Sequence, residues 1–199
     1  SEQIERYTFG TILKLNWAEN TGTIAAEDGN SYSFRYSDLL DPKLNKVIVS
    51  CMRADLYGKQ YLVKFFADDS QATSIHFDDM PVERARNISA DKTREDRFTA
   101  AYDLCKKALY TPEGRMARSE LIRISSAIFK STQETKYLED ALEIYEADTA
   151  NYPSNAFAVM GVAQAYSYIG KYPQMLEYGE KALSFDGIQV KQKVTLLSM

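Results

Sequence analysis

A single histidine, His76, serves all 199 residues. Any serine or cysteine nucleophile that needs an imidazole base would have to recruit that one side chain. The signatures G-x-x-x-x-G-K-[ST], G-x-G-x-x-G and H-E-x-x-H do not occur. Paired carboxylates need no fixed spacing, so an acid-only mechanism is the one catalytic class left open. The expectation is a binding protein, not an enzyme, with no cofactor and no metal. Two cysteines, Cys51 and Cys105, are too few and too far apart for a disulfide framework or a zinc cluster. They read as small buried apolar residues in a reducing, cytoplasmic setting. No run approaches the ~20 apolar residues needed to cross a bilayer. The polar start Ser1–Thr8 lacks the apolar core of a secretory leader. It also lacks an initiator methionine, which fits a processed chain or a piece of a longer one.

What is present falls into two halves with different periodicities. Hydrophobic residues make up 45% of the chain, enough for a core in each half. The net charge of −4 is unevenly spread. Residues 81–130 carry eleven Lys and Arg against seven acids, whereas residues 131–199 carry five Lys against nine acids. A basic middle suits nucleic acid or an acidic protein segment, and equally a solvated helix face.

Residues 8–66 read as short strands. Tyr7–Leu15 alternates and is rich in β-formers, and Glu19–Gly22 interrupts it. Thr23–Ala26 follows, and Glu27-Asp28-Gly29-Asn30 is a hairpin turn. Ser31–Tyr36 alternates small or charged with aromatic. Asp41-Pro42 begins another turn, Lys46–Arg53 reads as a fourth strand, and Gln60–Phe66 as a fifth. Five short strands with regular turns predict a closed OB-like barrel.

The frame Gly10-Thr-Ile-Leu-Lys-Leu-Asn16, Gly22-Thr-Ile24, Asp28-Gly29 and Tyr32-Ser-Phe-Arg-Tyr-Ser37 resembles the cold-shock domain family over about residues 8–66. That family runs G-x-V-K-W-F-N, K-G-F-G-F-I and V-F-V-H-F-S, and stacks single-stranded bases on exposed rings. Carried over, its exposed Trp falls at Lys14, its two Phe at Thr21 and Thr23, and its Phe and His at Ser33 and Arg35. All five rings are gone, while Ile12, Leu15, Ile24, Tyr32 and Phe34 keep bulk at inward positions. Five lost stacks at ~1 kcal/mol each amount to more than about a thousandfold in affinity. Lys14, Arg35 and Lys59 remain for phosphate, and Trp17, Tyr36, Tyr57 and Tyr61 are rings that serve either as replacements or as core.

Residues 67–93 are polar, acidic and broken by Pro81, and read as a linker. His76 with Asp68, Asp69, Asp78 and Asp79 reads as a solvated loop: adjacent carboxylates on an extended chain point opposite ways.

Residues 94–199 read as paired amphipathic helices, over Arg94–Leu109, Met116–Lys130, Tyr137–Thr149, Ala156–Ile169 and Tyr172–Phe185. The turns recur at the period of a two-helix repeat. Ala163, Tyr166, Gly170, Tyr172 and Ala182 in the last pair resemble the packing positions of the tetratricopeptide repeat family, with Pro153 where an earlier repeat would end. Gly187 and Met175 depart from the pattern. The resemblance covers residues ~97–186 and weakens toward the start.

Such stacks leave a groove lined by the first helix of each pair. The resemblance implies groove positions Phe157, Met160, Gln164, Ser167 and Tyr168 in the last unit, and Glu120, Arg123, Ala127, Lys130 and Ser131 before it. An acidic peptide with an apolar anchor would suit them. The expected fold class is α+β in separate domains. Residues 1–66 form a five-stranded OB-like β-barrel, 67–93 a linker and 94–199 an α-helical hairpin solenoid. The expected function is an adaptor or scaffold holding a protein or peptide segment, with the barrel as an accessory docking domain. The alternative is single-stranded RNA or DNA held weakly by Lys14, Trp17, Arg35, Tyr36, Tyr57, Lys59 and the basic stretch 84–130. No membrane partner is expected.

Overall fold

The computed structural model describes residues 6–51, 61–148 and 155–185. The chain divides into two compact units, residues 1–81 and 82–199. No described helix is long and apolar enough to cross a membrane.

The first unit contains β1 (Thr8–Asn16), β2 (Thr21–Ala26), β3 (Ser31–Arg35), α1 (Pro42–Val49), β4 (Tyr61–Asp68) and β5 (Gln71–Phe77). The strand order is β1-β2-β3-β5-β4, and β4 pairs back onto β1, so the sheet closes into an OB-like barrel. Every second side chain enters the barrel, which puts Ile24, Tyr32, Phe34, Val63 and Phe65 in one core. On β1 the register slips between Ile12 and Lys14. This bulge turns Leu13 outward and returns Leu15 to the inside three positions after Ile12. Gly22 faces Phe34 across the β2–β3 ladder, where an added Cβ would lie 2.4 Å from the ring. Glycine at this position lets Phe34 fill the interior. At the β2–β3 turn, Tyr32 Oη donates to Asp28 Oδ2 at 2.6 Å. That bond and the Asn30 amide hold the Asp28 carboxyl below its ordinary value.

Two segments differ from their sequence reading. Lys46–Arg53, expected as a strand, begins as the second half of helix α1: Lys46–Val49 are helical, Ser50 caps the helix, and Met52 and Arg53 lie outside the described residues. The run of β-branched residues is overruled by its start signals. Asp41 accepts from the Lys43 and Leu44 amides at 2.9 and 3.4 Å, Pro42 sits in the first turn, and Leu44 and Ile48 meet the core one turn apart. The fifth strand instead lies in the expected linker, which also holds α2 (Pro81–Ala90). Along β5 the buried residues are Ala72 and Ile75, three apart, because Ser74 has φ +50° and the β4–β5 register shifts. The alternation that marks a strand in a sequence is absent there.

The second unit adds α3 (Arg97–Ala108), α4 (Gly114–Thr132), α5 (Lys136–Glu146), α6 (Ala156–Tyr168) and α7 (Tyr172–Leu183) to α2. Helix α4 packs on α3, α5 and α6, and α6 packs on α7. Small residues permit close approach: Ala141, Ala163, Ala165 and Ala182 are fully buried. Tyr166 stacks on Tyr178 at 5.5 Å, and Tyr102 donates to Asp140 at 2.6 Å. Asn155 caps α6 through the Ala158 amide at 2.8 Å, and Gly170, at φ +73°, closes the α6–α7 turn. Neither Cys51 nor Cys105 is in a disulfide, and both are buried. Burial pushes the Cys105 thiol up to about 12, so it is no nucleophile at neutral pH.

Asp41 is a testable joint, because its second oxygen accepts from the Phe77 amide on β5 at 3.1 Å. Burial alone would raise its carboxyl, but the Phe77, Leu44 and Lys43 amides outweigh that and hold it below 3.8. The stabilisation is present above the ordinary aspartate value and is lost as pH falls through the lower folded value. Asp41→Ala should cost about 1–2 kcal/mol at neutral pH. The gap between wild-type and variant urea midpoints should narrow in acid, and a gap independent of pH would show that the charge is not involved.

Candidate functional site

Two surfaces collect the residues singled out above, one in each unit.

On the barrel, β1, β2 and β3 place Lys14 opposite Thr23, Thr23 opposite Ser33, and Thr21 opposite Arg35. Ser33 pairs onward with Gln71 of β5. These side chains line an open cleft of about 480 Å³, floored in part by Phe34 and Gly22. All five positions that the cold-shock resemblance assigns to stacking rings therefore share one face. That face is polar, with the cations of Lys14 and Arg35 exposed. Trp17 is half exposed in the turn after β1 and does not line the cleft. Tyr36 is a core residue, stacked on Phe34 at 6.5 Å, which removes it from the candidate surface rings. Its position directly after β3 continues the inward alternation of Tyr32 and Phe34. Burial raises the Tyr36 hydroxyl above its ordinary value. Tyr57 and Lys59 lie outside the described residues. His76, on β5, hydrogen-bonds through Nδ1 to the Ser74 carbonyl at 2.9 Å.

In the helical unit, α4 and α6 enclose a groove of about 530 Å³. Glu120, Arg123 and Lys130 come from α4, and Phe157 and Gln164 from α6. Helical spacing explains the convergence: 120, 123, 127 and 130 repeat every three to four residues, as do 157, 161 and 164. Phe157 is 70% exposed, an unusual position for a phenylalanine. Gly161 lies on the groove floor, where an added Cβ would meet only Ile122, at 3.7 Å. Four expected groove residues are placed differently: Ser131, Met160, Ser167 and Tyr168 do not line the groove, and Tyr168 instead stacks on Phe129 at 4.9 Å.

Glu120 lies at the end of the groove and is only 4% exposed. One of its oxygens takes Arg86 Nε of α2 at 3.3 Å, and the other takes Arg123 Nε and Nη2. Arg123 Nη2 also donates to Ser89 Oγ at 3.0 Å, and Arg97 Nη1 donates to the Ser89 carbonyl at 3.1 Å. Sequence reading treated Glu120 as a ligand-facing acid. Arg86 enters the sequence reading only as one charge of the basic stretch 84–130, and its pairing with Glu120 and the Ser89 contact to Arg123 are not legible when α2 is taken as linker. The helical spacing of Val82, Ala85 and Ser89, all buried, was the signal that could have found them.

No protein-family model matches this sequence, and no curated protein matches it.

Glu120 is under-compensated without Arg123. Arg123→Met should lower stability by about 2 kcal/mol in urea denaturation. That is less than the ~3–5 kcal/mol of a fully buried pair, because Arg86 remains and the guanidinium is half in water. An unchanged midpoint would mean that the pairing contributes nothing net.

Proposed function

We propose that this protein is a non-enzymatic adaptor whose α4–α6 groove holds a segment of another protein, with the barrel as an accessory docking domain. The observation that carries the reading is the convergence of Arg123, Lys130, Phe157 and Gln164 on one open groove. An exposed phenylalanine beside cations fits an acidic segment with an apolar anchor. The buried Val162, Ala163, Tyr166 and Ala182 agree with the tetratricopeptide-like packing that such a groove requires.

Selection of peptides from a display library should enrich acidic sequences bearing an aromatic or large aliphatic residue. Phe157→Ala, and Gly161→Leu filling the floor, should each weaken the selected peptides about tenfold or more by fluorescence anisotropy, with the urea midpoint retained. Failure to enrich any sequence, or peptides indifferent to both substitutions, would remove the groove from consideration.

A second reading rests on the barrel cleft. Lys14 and Arg35 beside a polar cleft suit a single-stranded nucleic acid backbone, and the missing rings make such binding weak and blind to base identity. Oligonucleotide titrations should then show affinity falling steeply with salt. Lys14→Ala and Arg35→Ala should each reduce the slope of log K against log salt by about 0.7. Absence of binding at low salt would end this reading.

A further inference from the structure

Where Glu120 and Arg123 line the helical groove, Arg86 of α2, which flanks the groove without lining it, shares the Glu120 carboxylate. Arg86 and Arg123 approach one carboxylate from two sides, Arg86 at 3.3 Å on one oxygen of Glu120 and Arg123 on the other. Their side chains are 51% and 50% exposed, whereas that of Glu120 is 5% exposed. The carboxylate is therefore the buried hub, and the guanidinium groups reach from it into water. Among the described residues Arg86 engages only Nε, so its two terminal nitrogens are unused. Arg123 engages Nε and Nη2, which leaves Nη1. Each arginine is thus fixed by Glu120 while part of its fork still faces outward. Ser89 and the Arg97 contact to its carbonyl brace the pair from α2.

We propose that Arg86 and Arg123 form a preorganised site for a phosphorylated serine or threonine of the segment that occupies the groove. The proposal rests on the groove reading above. A tetrahedral dianion offers three acceptor oxygens to the unused guanidinium edges, and two arginines already held in place lose little rotamer freedom on binding it. A side-chain carboxylate carries half that charge and offers two acceptor oxygens instead of three; repulsion from Glu120 grows with the ligand's charge too, but two guanidinium groups outweigh one carboxylate. A continuous nucleic acid backbone fits this end less well, because the groove's cations, Arg123 and Lys130, are interrupted by Glu120, Phe157 and Gly161 and do not form a file.

The test compares two degenerate peptide libraries, one with a fixed central phosphoserine and one with serine there, by fluorescence anisotropy on the full chain. The phosphoserine library should bind about tenfold or more tightly. Arg86→Ala should erase that preference. Arg86→Lys keeps a cation on Glu120 but lacks the fork, so it should erase most of the preference while preserving the urea midpoint, which covers the case in which Arg86→Ala fails to fold. Equal binding of the two libraries would overturn the phosphate site and leave the groove reading standing. Binding of neither would overturn both. Displacement of the phosphopeptides by a single-stranded oligonucleotide at equal phosphate concentration would overturn the site in favour of a general polyanion surface.

Discussion

A carboxylate withdrawn from water must be compensated, and the side chains between α2 and α4 are arranged around that demand at Glu120. The ordinary solution would be one partner. Here two arginines from different helices share the carboxylate, so α2 is tied to α4 by the Arg86–Glu120 pair and by the Arg123 hydrogen bond to Ser89. Removing one partner from such a pair costs several times what a surface pair costs. The same pairing fixes the guanidinium groups without burying them. Rigidity and accessibility usually oppose each other in a long cationic side chain. A buried acid beneath two half-exposed bases supplies both.

The barrel handles its polar groups by alternation. Closure of five strands leaves no free edge, so each side chain is either inside or out, and the Leu13 bulge is the one place on β1 where two successive residues both face out. That slip sets Lys14 directly across from Thr23, and so begins the row Lys14, Thr23, Ser33, Gln71. Every member of the row can donate or accept a hydrogen bond, and none carries a ring. Stacking energy is therefore absent from this face by composition, and what remains is charge and hydrogen bonding. Both are weak in open solvent, and the charge contribution depends on salt.

The barrel and the helical pairs were legible in the sequence because both rest on strong periodic signals. Ile24, Tyr32 and Phe34 alternate cleanly, and Ala163, Tyr166 and Ala182 fall at helical spacing. The errors have a common cause: a local signal was weighed without the tertiary contact that decides it. The β-branched stretch after Asn45 has strand propensity, yet the Asp41 cap and the single apolar pair Leu44 and Ile48 make it a helix. Strand β5 has almost no alternation, because its positive-φ Ser74 interrupts it, and it exists because the barrel needs a partner for both β3 and β4. Reading α2 as linker conceals the pairing of Arg86 with Glu120 and the place of Ser89 beside Arg123.

The same contrast separates the two candidate surfaces by mechanism. The barrel face offers Lys14 and Arg35 on a polar wall, where each contact adds by charge alone and no contact specifies its partner. The groove joins three unlike elements within one cleft: the Arg123 guanidinium, fixed on the Glu120 carboxylate that it shares with Arg86 of α2, an exposed aromatic side chain, and a glycine floor with space above it. A ligand must satisfy charge, an apolar anchor and shape together, and a mismatch in any one leaves a buried group unpaired or a void. Specific recognition requires that combination. On the proposed reading, a fixed charged end beside an exposed aromatic side chain would give a bound segment a direction, since reversing it would place its anionic group against Phe157 and its anchor against Arg123.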